Sequence, residues 1–352
     1  MRPTLQTVAD TLGVSRSTVS NAYSRPDQLS AELRNRILDA ARRVGYAGPD
    51  PTARSLRRGR AGAIGVLFTA SLPYAFTDPY AVQFLRGLAE SVSGRETGLL
   101  LVPQSMDDEA TAVSAVNNAA VDGFCVFCMP DWHPSWDAIQ ARGLPVVSAQ
   151  HRPADALFVG IDEAAATREA GRHLTSLGHR RVAIIGDHLT AGPTRPVTLA
   201  GPDDVAYYGS RERLRGYYDA LREAGVEWAD VTTISTDVNS KETGAAAAAY
   251  VLGQAPRPTA VVAFSDILAL GVLDALTAAG LRPGHDISVI GFDDIPQAEQ
   301  ASLTTVRQPA VQRGRLSGEI LLDPPQEPSG RQVVLPTELV IRDSTCPALT
   351  KE

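Results

Sequence analysis

From Ala63 to the C-terminus, short apolar runs alternate with stretches of helical spacing, and this alternation constrains the fold more than any other feature. AIGVLF (63–68) is apolar throughout, as a strand buried on both faces of a parallel sheet requires. A helical segment over 80–92 follows, then GLLLVP (98–103), a helix from about 109 to 120, DGFCVF (122–127) and, after another helix, GLPVVS (143–148). A second series runs through a helix over 164–177, RVAIIGD (181–187), RLRGYYDALREAG (213–225) and VTTIST (231–236). It ends with an alanine-rich helix over 242–252, AVVAFS (260–265) and ISVIGF (287–292). Elements in this rhythm predict doubly wound parallel sheets, and their number predicts an α/β body of two lobes over residues 62–352.

The first 62 residues follow a different pattern. They hold eleven arginines against five acids, whereas the remaining chain holds 22 lysines and arginines against 35 acids, a net charge of −13. A basic head on an acidic body suggests that the head alone meets a polyanion, although a solvated arginine surface would show the same charge. Thr4 is placed to cap a helix over 5–12 that buries Val8, Ala9 and Leu12 and ends at Gly13. Ser15 caps a second helix from Arg16 to about Tyr23, with Val19 and Ala22 inward, and the pair has helix-turn-helix spacing. Ser30 caps a third helix, carrying Leu33, Ile37, Ala40 or Ala41, and Val44, which Gly45 closes and over which Tyr46 packs back. These elements predict a small all-α helix-turn-helix head over 1–48.

With Val19 inward, Arg16, Ser17, Ser20 and Asn21 lie on or near the outer side of the second helix. Arginine near a helix N-terminus is suited to guanine O6 and N7, and Ser and Asn to base edges or phosphates. Thr4, Ser15 and Thr18 are expected at phosphates or in caps, which fix register without reading sequence. A small bundle with a polar face remains the alternative at this point. PDPTARSLRRGR (49–60) then reads as a two-turn hinge helix within 49–61, capped by Asp50 with Pro51 at its first position, and too short to be stable alone. Ala53, Arg54, Leu56 and Arg57 are its DNA-facing candidates, Leu56 as an apolar wedge between base steps and the arginines in a minor groove. An arginine-bearing interdomain linker is the alternative.

Polar residues gather at the carboxyl ends of the body's strands, where doubly wound sheets bind ligands. Asp162 follows FVGI, Ser265 and Asp266 follow AVVAF, and Asp293 and Asp294 follow ISVIGF, while Arg213 opens a helix after the long loop 188–212. Carboxylates with one arginine suit vicinal hydroxyls on a sugar or nucleoside. Each acid taken singly reads equally well as a helix N-cap.

VADTLGVSRSTVSNAYS (8–24), Gly45–Tyr46 and ARSL (53–56) resemble the DNA-binding head and hinge of the lac-repressor (LacI/GalR) family of bacterial transcription regulators. VGIDEAAATREAGRHLTSLGHRRVAII, RLRGY, FSDILALG, ISVIGFDD and LTTVRQP extend the likeness to that family's periplasmic-binding-protein-like effector and dimerisation domain. The resemblance implies major-groove reading by Arg16, Ser17 and Asn21, intercalation by Leu56, and effector contacts at Asp162, Arg213, Ser265 and Asp293. It implies a homodimer on double-stranded DNA with a pseudo-palindromic operator, acting as a repressor of a catabolic operon under a sugar-like effector.

Three departures from the family accompany it. The segment TASLPYAFTDPYAVQFLRG after the first strand is long, with Asp78 and Tyr80 at its pocket-lining positions. Asn239 stands where relatives often carry an aromatic ring, which disfavours a purine. Loop 188–206 is also long and is placed to remodel the mouth of the pocket.

Other function classes fit less well. No apolar run has membrane-spanning length and no secretory signal opens the chain, so a cytoplasmic protein is expected and a secreted solute-binding protein disfavoured. G-x-x-x-x-G-K-[ST], G-x-S-x-G and H-E-x-x-H are missing, which weighs against an enzyme such as a sugar kinase or nucleosidase. His151, His179 and His188 are scattered, and no cofactor is expected. Asp293 and Asp294 lack a further metal ligand at suggestive spacing. Cys125 and Cys128 fall on a strand where residues three apart face opposite sides, so both are expected as small buried hydrophobes.

Overall fold

A computed structural model describes residues 3–50, 59–68, 72–150 and 157–348. The chain divides into two compact units, Met1–Gly62 and Ala63–Glu352.

In the first unit, α1 (Leu5–Leu12), α2 (Arg16–Ser24) and α3 (Ala31–Val44) form three short helices. Thr4 caps α1 in a reciprocal capping box with Thr7, and Ser15 and Ser30 each accept from the third backbone N–H of their helices. Gly13 turns the chain between α1 and α2 at φ 64°, a left-handed conformation that a Cβ disfavours. Val8, Ala9, Val19, Ala22, Ile37, Ala40 and Ala41 make the core, with Tyr46 packed edge-on against Tyr23. The hinge candidates Ala53, Arg54, Leu56 and Arg57 lie outside the described residues.

The second unit carries two sheets. In the first, all strands are parallel in the order β12-β5-β4-β3-β1-β2. Its members are β1 (Ala63–Phe68), β2 (Gly98–Pro103), β3 (Gly123–Cys128), β4 (Val146–Ser148), β5 (Leu157–Ile161) and β12 (Gln332–Leu335). The second runs β13-β11-β10-β9-β6-β8-β7 and is parallel except at its two edges. It comprises β6 (Val182–Asp187), β7 (Arg195–Val197), β8 (Thr232–Thr236), β9 (Ala260–Ala263), β10 (Ser288–Asp293), β11 (Thr304–Arg307) and β13 (Glu338–Val340). The inner strands are almost wholly buried, which explains their continuous apolar runs.

Helices connect the strands: α4 (Tyr74–Thr77), α5 (Pro79–Val92), α6 (Glu109–Asn118), α7 (Ser135–Ala141), α8 (Glu163–Ser176) and α9 (Tyr208–Glu223), then α10 (Lys241–Leu252), α11 (Asp266–Ala278), α12 (Pro296–Gln300) and α13 (Ala310–Leu322). The chain passes between lobes at β5–α8, at β11–α13 and at β12–β13, so α13 returns to the first lobe and packs on α5. That packing is close: a Cβ on Gly314 would lie 2.0 Å from the Phe84 carbonyl oxygen.

Two expectations change. The helix expected to open at Arg213 begins at Tyr208, which moves Arg213 into the second turn and turns it inward. The long loop after β6 contains β7, an antiparallel edge strand against β8, whose Pro196 is tolerated because an edge leaves one side unpaired.

Candidate effector cleft and nucleic-acid face

On α2, Val19 and Ala22 are buried while Arg16 and Ser17 are exposed and Ser20 and Asn21 half-exposed. Ser15 Oγ lies 2.7 Å from the Ser17 hydroxyl and 2.8 Å from that of Thr18, so these hydroxyls cap and brace the first turn. Asn21 Nδ2 donates to Gln28 Oε1 at 3.4 Å. Arg16 has no ion-pair partner among the described residues, which leaves its five donors to solvent or a ligand.

In the body, the carboxyl ends of both sheets face a cleft enclosing a cavity of about 90 Å³. Arg213 reaches it from α9, its Nε donating to Glu163 Oε2 at 2.8 Å and its guanidinium lying 3.8 Å from the Phe292 ring centre. Burial opposes this charge, but Glu163 and Asp293 beside it hold the guanidinium pKa above its usual value. Asp293, at the end of β10, sits at φ 121°, a strained conformation for a residue with a side chain, and accepts from Gln308 Nε2 at 2.6 Å. Burial holds its carboxyl well above the ordinary carboxylate range, against the pull of Arg213. Asp78 caps α5 through Tyr80 N at 2.7 Å and also lines the cavity. Asn239 donates to the Tyr74 hydroxyl at 3.0 Å and accepts from Ser265 Oγ, which also caps α11.

Behind this wall, buried Arg313 donates to Gln308 Oε1 at 2.6 Å, to the Tyr80 hydroxyl and to the Ala149 carbonyl. These donors are therefore spent inside the protein on neutral acceptors. Asp187, at the end of β6, lines the cavity half-buried, and its carboxylate takes no hydrogen bond from the described residues. The cleft thus offers acceptors and amide donors to a small polyhydroxylated ligand.

Residues 4–48 match the family described as bacterial regulatory proteins, lacI family, and residues 172–345 match the periplasmic binding protein-like domain. An HTH-type transcriptional regulator of Mycolicibacterium smegmatis is 42% identical over 96% of this chain and 95% of its own. The chain belongs to the LacI family of bacterial transcriptional regulators. A LacI-family regulator from Corynebacterium glutamicum of known structure is 36% identical over 99% of this chain and 100% of that one, with TM-score 0.74. The complex of the regulator CelR with cellobiose is 29% identical over 97% of this chain and 100% of that one, with TM-score 0.67. These relatives are named as regulators and not as enzymes.

Of the effector candidates, Asp78, Tyr80, Arg213, Asn239, Ser265 and Asp293 line the cleft. Asp162 does not. It is exposed and its side chain caps α8 through Ala165 N at 2.9 Å, while the next residue, Glu163, points inward to Arg213. Asp266 does not line the cavity either. It is fully buried, accepts from Thr305 Oγ1 at 2.6 Å and Ile295 N at 2.9 Å, and so ties α11 to β11 and the turn after β10. Asp294 is engaged by Arg307 at 2.6 Å and Arg342 at 2.7 Å, so it makes no cation-binding pair with Asp293.

Cys125 is buried, but Cys128 lines the cleft beside the Tyr207 hydroxyl, a departure from the expectation that both are core. His179 is buried between Thr259 and Ser288, a structural bridge. Sequence reasoning missed Asp187, although RVAIIGD ends on an acid at a strand's carboxyl end, the signal used for its neighbours. It also missed Tyr74, Gln150, Tyr207 and Arg313, whose chemistry depends on partners far away in the chain.

Proposed function

We propose that the protein is a homodimeric repressor whose affinity for a pseudo-palindromic operator is set by a sugar-like ligand held between the two lobes. Arg16, Ser17 and Asn21 read base edges in the major groove, with Ser20 beside them, while Thr4, Ser15 and Thr18 hold the register at phosphates. Leu56 wedges a central base step, with Ala53, Arg54 and Arg57 alongside in the minor groove, as the family resemblance implies. Dimer symmetry mirrors operator symmetry, and the regulator works in the cytoplasm, where its DNA is.

The observation that carries the ligand reading is the cleft wall: Asp78, Asp187 and Asp293 face one cavity with Asn239 and Arg213. Paired acceptors and donors of this kind match vicinal hydroxyls, and the cellobiose bound by CelR shows that a relative of this fold takes a carbohydrate. Ligand binding that favours one lobe arrangement over another is coupled to the hinge, and hence to DNA.

The test has two steps. A thermal-shift screen with pentoses, hexoses, disaccharides, nucleosides and sugar phosphates is expected to give a carbohydrate hit. That carbohydrate is then expected to change the affinity of the full chain for a duplex recovered by selection from random sequence. A nucleoside hit with silent sugars contradicts the ligand class, and failure to select any duplex contradicts the regulator.

A further inference from the structure

Two tyrosines that line the cleft each bond to the opposite lobe. Tyr74, on α4 in the long segment after β1, accepts from Asn239 Nδ2 of the opposite lobe at 3.0 Å and donates to Asp78. Tyr207, at the end of the long loop after β6, donates to Gln150 Oε1 of the opposite lobe at 3.1 Å and contacts Cys128. Arg211 and Asp131 add a longer cross-lobe ion pair at 3.7 Å beside the second contact. Gly209 makes that side possible, because a Cβ there would fall 1.9 Å from Gln150 Nε2.

We propose that these two tyrosine clasps restrict the effector to a single unphosphorylated ring, neutral or amine-bearing, and exclude disaccharides. The inference rests on the cleft being the effector site and narrows what that site takes.

Size is the first reason. The space between the clasps is about 90 Å³, below the roughly 150 Å³ of an engineered cavity that holds one benzene. A hexose, larger than benzene, therefore enters only as the lining gives way, and a second ring demands a wider opening that would part Tyr74–Asn239 or Tyr207–Gln150. Asn239 supplies an amide that bonds across the cleft, which an aromatic ring at this position would not do.

Charge is the second reason. Both lining arginines are committed: Arg213 to Glu163 and the Phe264 carbonyl, Arg313 to Gln308, Tyr80 and Ala149. Four carboxylates, Asp78, Glu163, Asp187 and Asp293, share the lining with these two guanidiniums. A phosphate entering here meets this excess of carboxylates and finds guanidinium donors already engaged, and burying it unpaired is costly. A hydroxyl or an ammonium instead supplies the donors that Asp187 lacks.

The deciding experiment is calorimetric titration of the full chain with four sets of probes: free pentoses and hexoses, hexosamines, the disaccharides cellobiose, maltose and trehalose, and hexose 6-phosphates. At least one free monosaccharide or hexosamine is expected to bind, at least tenfold tighter than every disaccharide and every phosphate. A disaccharide or phosphate that binds as tightly as any single neutral ring overturns the proposal while leaving the effector cleft standing. Silence in all four sets removes the sugar reading of the cleft and this proposal together. In Tyr74→Ala and Gly209→Ala the ratio of monosaccharide to disaccharide affinity is expected to fall at least tenfold, and an unchanged ratio in both folded variants assigns exclusion elsewhere and overturns the clasps. If neither variant folds, the wild-type titrations decide.

Discussion

The outer face of α2 and the cleft of the body use similar side chains in opposite ways. On α2, Arg16 and Ser17 are exposed, and the bonds that exist are local: Ser15 with Ser17 and Thr18, Asn21 with Gln28. In the cleft, Arg213, Asp293, Gln308 and Arg313 are held by partners from several elements, and Tyr80 bonds Gln308 from 228 positions away. An open face suits a large polyanion, which brings its own charge and tolerates water. A closed network suits a small ligand, because any group the ligand fails to satisfy stays unpaired in a dry site.

That contrast predicts unequal consequences for two arginine deletions. Arg213→Ala leaves Glu163 buried without its partner, with side-chain exposures of 14% and 4% for the pair. A loss of about 3–5 kcal/mol in urea-unfolding stability of the body is expected, together with loss of ligand binding. A change below about 1 kcal/mol would mean the pair is not truly sequestered from water. Arg16→Ala is expected to leave stability unchanged and to weaken binding to a selected duplex by about 1–3 kcal/mol per half-site, read by fluorescence anisotropy. Equal affinity for selected and scrambled duplexes in the wild type would remove Arg16 from the base-reading role.

Burial beside the cleft also leaves a pH signature. Burial pushes the carboxyl of Asp266 up from 3.8 to about 6, against the hydrogen bonds from Thr305 and Ile295 that lower it. The folded chain then holds this proton more tightly than the unfolded one, so the contribution of Asp266 is complete below a pH of about 4 and is lost as pH rises through about 6. Wild type is expected to gain urea stability relative to Asp266→Asn as pH falls from 7 to 4, and a flat difference would place Asp266 in contact with water.

The smallest effect tests the division between cap and pocket. Asp162→Ala is expected to cost about 1 kcal/mol of body stability through its lost cap while leaving monosaccharide affinity unchanged. A parallel loss of affinity would return Asp162 to the cleft.

The head was legible in the sequence because its determinants are neighbours: Thr4, Ser15 and Ser30 each cap a helix through a bond three residues away, and Gly13 and Gly45 end two of them. The sheets were legible because strands buried on both faces must be apolar throughout. The cleft was only half legible. Strand ends announced Ser265 and Asp293 and the family resemblance Asp78 and Asn239, but Asp162 and Glu163 are adjacent acids at one strand–helix junction, and only the local backbone decides which one turns inward. Asp266 and Ser265 pose the same choice after β9. Tyr74, Tyr207, Gln150 and Arg313 carry no signal until the lobes are folded against each other, since each matters through a partner on another element.

The central claim is that what happens in the body's cleft is felt by the face of α2. Anisotropy titration of a selected, labelled duplex with the full chain, without and with a saturating monosaccharide that binds the cleft, tests it most directly. Duplex affinity is expected to change by roughly 5- to 150-fold when the ligand is present. A ligand that saturates the cleft by calorimetry and leaves the duplex isotherm unmoved would contradict it.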